Sequence, residues 1–184
     1  MRFDPLAYGP DIAGILAKDG DGQRLIPLVA VGCSTEVRSL MKTHTPASLF
    51  RQAEFPDAAM AGLWAYFSDF DEAHGIAQDI STVEGSFWHG ILHRQEPDAS
   101  NAAYWFRRVA THPIFPALAE AASEILTRYP KSGFRVGSTW DPFEFVFFCE
   151  RAQQQRGSAA EAAALEIQRA EWQLLFDYCA RPRA

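Results

Sequence analysis

The stretch Val83-Glu84-Gly85-Ser86-Phe87-Trp88-His89-Gly90-Ile91-Leu92-His93-Arg94 constrains this chain more than any other. On a helical wheel at about 100° per residue, Val83, Phe87, Ile91, Trp88 and Leu92 cover one half. Gly85, His89, His93, Ser86 and Gly90 cover the other, and charge occurs only at the ends, in Glu84 and Arg94. A surface helix would carry Lys, Glu or Gln on its second face. The segment therefore predicts a central helix packed on both sides, whose small residues admit a neighbouring helix or leave room for a ligand. Each of its two glycines costs roughly 1 kcal/mol of helix propensity relative to Ala. Packing or a bound group has to offset that cost.

The rest of the chain reads as further helices around it. Leu63, Phe67, Phe70, His74 and Ala77 fall at spacings of 4, 3, 4 and 3, the apolar stripe of an amphipathic helix. Ser81 with Glu84 predicts a capping box, and Asp98 an N-cap for a helix through Val109. Pro116 suits the first turn of a helix to about Tyr129, Asp141-Pro142 opens another over 143–155, and Ser158 with Glu161 starts the last. Within that last helix, Leu165, Trp172, Leu175, Phe176 and Cys179 lie near one face. The first fifty-five residues read as irregular chain and short helices packing on a helical core over 56–180. Leu25 to Val31 is apolar, but Pro27 argues for an extended segment on the core rather than a strand. The expectation is an all-α single-domain globule of six or more helices.

Composition narrows the function classes. The 184 residues are 48% hydrophobic and carry a net charge of −6, so the chain can bury a sizeable core and is not expected to bind nucleic acid. No apolar run reaches the roughly 20 residues of a spanning helix, and Met1-Arg2-Phe3-Asp4-Pro5 leads into no secretory apolar region. No membrane association is expected. Cys33, Cys149 and Cys179 are widely spaced and odd in number, as in a reducing cytoplasm. Asp19-Gly20-Asp21-Gly22 has Ala30 where a calcium loop needs a bidentate Glu, so it reads as a turn. No Gly-rich loop with a following Lys supports nucleotide binding. Cys33, before Ser34-Thr35-Glu36, stands at a candidate helix start where a thiolate would be favoured, though a buried apolar role is the plainer reading.

Histidine spacing supplies the chemistry. His89 and His93, four apart, place both imidazoles on one side of the helix. Gly90 occupies the position of a zincin's general-base Glu, which rejects that class. His74, three residues after Asp71, gives one acidic-x-x-His pair, and a ferritin-like dinuclear site would need a second. What remains is a mononuclear divalent-metal site on His74, His89 and His93, with Asp71 or Glu84 as a further ligand. His89, His93 and Asp71 are also the candidate proton-transfer groups of an enzyme. Against this stand plainer roles: a hydrogen-bonded core histidine at His74, and pairing of His93 and Arg94 with Glu96 or Asp98.

Asn101, Trp105 and Arg108 fall at i, i+4 and i+7, an amide, an indole and a guanidinium converging on one helical side. With Trp88, Arg94, Glu96 and Tyr104 they are candidate contacts to a small, planar or anionic ligand. The plainer alternative stacks Arg108 on Trp105 and pairs it with Glu96 or Asp98.

The run Trp88-His89-Gly90-Ile91-Leu92-His93-Arg94-Gln95-Glu96-Pro97-Asp98, followed by Asn101-Ala102-Ala103-Tyr104-Trp105-Phe106-Arg107-Arg108, resembles a signature of a group of bacterial and fungal proteins of uncharacterised function. With Asp71 to His74 and His112-Pro113, the likeness covers about a quarter of the chain. Gln95 departs from the group's pattern, where an Arg is expected, which would remove one cation from the site. The resemblance implies a grouping and no mechanism.

Two function classes follow. One is an enzyme or binder with a His/Trp/Arg-lined pocket for a small anionic metabolite or a metal. The other is a non-catalytic interaction domain in which the same residues form a structural polar network. In the second case Trp140 and the Trp172/Phe176 side of the last helix would be exposed, marking a partner surface or a homodimer contact. The two differ in whether Gly85, His89, Gly90 and His93 border a cavity or abut a helix.

Overall fold

A computed structural model describes residues 3–182. Met1 and Arg2, which open the segment read for a signal peptide, lie outside the described residues. The described residues form ten α-helices and no strand, as expected of an all-α chain. Three are short: α1 (Pro10–Leu16), α2 (Thr35–Met41) and α3 (Pro46–Leu49). The body consists of α4 (Pro56–Tyr66), α5 (Phe70–Asp79), α6 (Val83–Gln95), α7 (Ala99–Val109), α8 (Phe115–Arg128), α9 (Pro142–Gln153) and α10 (Ala159–Ala180). Local chemistry sets most of the starts. Asp98 accepts from the Asn101 amide, Asp141 from the Phe143 and Glu144 amides, and Ser158 from the Glu161 amide, while Pro56, Pro116 and Pro142 occupy first turns.

Helix α6 is the centre, and every residue from Glu84 to Gln95 is buried. Trp88 lies against α4 at Gly62, and the Trp172 indole of α10 donates to the Gly62 carbonyl at 2.7 Å. The two glycines of α6 mark close approaches. A Cβ on Gly85 would stand 2.5 Å from the Ile80 carbonyl oxygen, and one on Gly90 would stand 2.9 Å from the Phe106 ring of α7. Neighbouring side chains and backbone therefore fill both positions, and it is packing that offsets the lost propensity there.

The segment 25–31 lies on this body without joining a sheet, so its backbone needs other partners. Side-chain amides supply them. Gln168 donates to the Ile26 and Pro27 carbonyls at 2.8 and 3.1 Å, Gln95 to Pro27 at 3.1 Å and Gln153 to Leu28 at 3.0 Å. Ile26 and Leu28 are buried beneath, whereas Leu25, Val29 and Val31 are exposed.

Several expectations need correction. The stripe over 63–77 belongs to two helices, since the chain breaks at 67–69 with Ser68 at φ +60° and Asp69 capping α5. Ser81 and Glu84 form no capping box. Thr82 is the N-cap of α6 and makes no side-chain cap bond, and Glu84 is buried opposite His112. Trp140, Trp172 and Phe176 are not a surface, being 5%, 1% and 0% exposed. Gln95 is bound to the Pro27 carbonyl and is no part of the histidine site. No helix among the described residues is long and apolar enough to cross a membrane.

Candidate metal centre

Three imidazoles meet where α5 packs on α6. His89 and His93 stand one turn apart on α6 with their rings stacked at 4.9 Å, and His74 of α5 meets both edge-on at 4.4 and 5.2 Å. The Nε2 atoms of His74 and His89 are 2.9 Å apart, and one nitrogen from each of the three rings lies within 4.8 Å of the others. A first-row ion bound at 2.0–2.1 Å to tetrahedrally placed imidazoles needs nitrogens roughly 3.3 Å apart. The His74–His89 separation lies within about half an ångström of that value, and the 4.8 Å bound on the third nitrogen admits it.

Burial favours the neutral form of His74 and His89, which is the state a metal requires. His89 is pushed down to about 4, first by burial and then by the neighbouring charges of His74 and His93. His74 is lowered for the same reasons, with Glu96 and Asp71 pulling the other way. His89 and His93 are 3% and 6% exposed, whereas His74 is only half-buried, so access lies on the α5 side. His89 Nδ1 is buried without a protein partner.

Around the triad stands a second layer. Glu96 accepts from or pairs with His93 Nδ1 at 2.9 Å, the carboxylate-on-histidine arrangement that fixes a ligand's tautomer. The Asn101 amide nitrogen lies 3.1 Å from His93 Nε2. Asp98 places it by capping α7 and donating its own amide to the His93 carbonyl at 3.0 Å. Trp105 lies flat on His89, with ring centres 3.8 Å apart and planes at 10°. Arg108 stands over Trp105 at 5.3 Å, and exposed Tyr104 meets the same indole edge-on. Phe70, which the sequence places only in the apolar stripe, stacks on His74 at 5.3 Å; its spacing four residues before His74 is the signal for that contact.

His74, His89, His93, Glu96, Asn101, Trp105, Arg108 and Tyr104 thus come together. Asp71 is exposed and reaches His74 only through its charge. Trp88 and Arg94 face elsewhere. Arg94 is buried on Glu171 and Gln168 of α10 and over the Phe145 ring at 4.6 Å, so its partner is neither Glu96 nor Asp98. Glu84 faces His112 at 3.8 Å and is not among the triad's neighbours. The cleft of about 440 Å³ beside segment 25–31 is lined by Leu25, Leu28, Val29, Val31 and Leu165 and not by the histidines. Cys33 does not fit an activated thiolate, since burial and then Asp69 raise it above the ordinary thiol value. Comparison with family models, curated proteins and solved structures gives no match for this chain.

Proposed function

We propose that the protein binds one divalent first-row transition metal through His74, His89 and His93. The observation that carries this reading is three imidazole nitrogens within 4.8 Å of one another, on two packed helices. Imidazole donors suit zinc, copper, iron and nickel. Three protein ligands, rather than four, are the pattern of sites that keep a position open for water or substrate. Glu96 is the outer carboxylate that orients His93, and the access side at His74 is where a small molecule would enter. The test is metal content by mass spectrometry on untagged protein, beside a His89→Ala/His93→Ala variant whose circular dichroism is native. Near-stoichiometric metal lost in the variant supports the site. Metal absent from wild type even after incubation with zinc, cobalt or copper refutes it. A second reading, a purely structural histidine network, draws support from the direct His74–His89 contact and from the filled positions at Gly85 and Gly90.

A further inference from the structure

Helix α5, which carries His74, is the most lightly packed helix of the body. It fully buries only Ala73 and Ala77, whereas each of the other six body helices fully buries at least one larger side chain. Phe70, Ile76 and Ile80 pack on the core but are only partly buried. Its N-terminal end is anchored by the ion pairs Asp69–Arg38 and Glu72–Lys42, both at 2.8 Å, which leaves the middle of the helix to the two alanines. Gly75, next to His74, weakens that middle further. Gly62, Gly85 and Gly90 of the other body helices sit where a Cβ would come within 3 Å of a neighbour, but around Gly75 nothing lies within 4 Å. Its loss of helix propensity therefore serves no close approach.

The two α6 ligands lie behind this helix. His89 and His93 are 3% and 6% exposed, Trp105 covers one face of His89, and His74 Nε2 sits on His89 Nε2 at 2.9 Å. An ion placed between those nitrogens has to part them, so His74 must draw back first. Resting on the metal reading above, we propose that α5 is a gate over the site: it opens from α6 by local unfolding to admit the ion, and the ion, bound through His74, holds it shut. With the gate open the ion meets two imidazoles, and with the gate closed it meets three. It therefore favours the closed state by the ratio of its affinities for those two sets. The order of α5 thereby reports metal supply.

The experiment is hydrogen exchange by mass spectrometry on the untagged full chain, with cobalt binding followed in parallel by visible absorption. In the metal-free protein the amides of α5 should be about ten-fold or more less protected than those of α4. Cobalt at about 100 times its Kd should slow α5 exchange by about ten-fold or more. In His74→Ala, the same cobalt concentration should leave α5 exchange within about two-fold of its metal-free value. Gly75→Ala should raise the metal-free protection of α5 by about two- to five-fold. If α5 is as protected as α4 without metal, if bound cobalt leaves its exchange unchanged, or if Gly75→Ala changes nothing, the gate is wrong and the metal site stands. Protection by cobalt that survives His74→Ala removes His74 from the site and overturns both. If cobalt does not bind the wild-type chain, both fall together.

Discussion

Replacing Gly85 by Ala tests the claim that α6 is central because its glycines let neighbours in. Two terms oppose each other. Ala gains about 1 kcal/mol of helix propensity over Gly. Against that, the new Cβ would lie 2.5 Å from both the carbonyl oxygen and the Cβ of Ile80, the C-cap residue that follows α5. Neither atom can swing away by a side-chain rotation, so α5 and α6 must part by roughly 1 Å, a distortion of the kind that costs about 1–3 kcal/mol or more when a packed core is overfilled. Because one of the two atoms is backbone, the upper end of that range applies, and net destabilisation of about 2 kcal/mol is expected, which for a chain of this size lowers Tm by about 4–8 °C. Gly75 provides the control, because it lies inside α5 with no positive φ and with no neighbouring atom within 4 Å of the place its Cβ would take. Gly75→Ala should therefore stabilise by about 0.5–1 kcal/mol. Urea unfolding of both variants with unchanged m-values gives the comparison. A Gly85→Ala protein as stable as wild type, or shifted in the same direction as Gly75→Ala, would refute the close-approach argument.

Two further expectations concern charge. Arg94→Met leaves Glu171 buried at 0% side-chain exposure without its cation, and should destabilise by about 3–5 kcal/mol; Arg94→Met/Glu171→Leu should recover most of that loss in the same urea assay, and a double variant no better than the single would refute the buried pair as the cause. His74, His89 and His112 are each lowered by burial, His89 to about 4, so they are neutral when folded and protonate below about 6.5 when unfolded. The unfolded chain then binds more protons between those values, and stability of the metal-free protein must fall as pH drops from 6.5 towards 4. His89 alone contributes on the order of 3 kcal/mol over that window, and a urea midpoint that stays flat from pH 7 to 4.5 would contradict a neutral, buried His89.

How much of this was legible in the sequence depends on whether a feature is local. The centrality of α6 could be read because a missing charged face is a property of the helix alone, and Asp98, Asp141 and Ser158 could be read as caps for the same reason. The pairing of His89 with His93 follows from helical spacing, and His74 from the stripe that carries it. Partners distant in sequence were not legible. Arg94 and His93 are adjacent, yet one turns to Glu171 of α10, 77 residues on, and the other to Glu96. Periodicity also runs undisturbed through Phe67 to Asp69, where the backbone reverses at Ser68 and divides one stripe between two helices. Glu84 suits a capping box by spacing, but the N-cap of the helix is Thr82 and His112 faces the carboxylate. Trp140, Trp172 and Phe176 sit where loop and terminal aromatics are often exposed, and tertiary packing buries them instead.

His89 separates the two readings of the triad. A structural network justifies its polar atoms by satisfying them, yet His89 Nδ1 is buried with no protein partner, at a cost of about 1–3 kcal/mol for such a group. Its Nε2 meets only His74, whose half-exposed ring can turn to water instead. If stability alone governed this position, a Leu of similar volume between Trp105 and α6 would serve at least as well, since it removes the orphan nitrogen and keeps the apolar contact. A metal site has the opposite logic, because ligands are strained and under-satisfied until the ion arrives. His89→Leu should therefore leave the metal-free protein as stable as wild type or more stable by up to about 1 kcal/mol, while abolishing metal uptake measured by cobalt absorption. Should metal-free His89→Leu instead lose about 2 kcal/mol or more in urea, His89 belongs to the framework of the fold, and the triad's geometry is explained by packing without a metal.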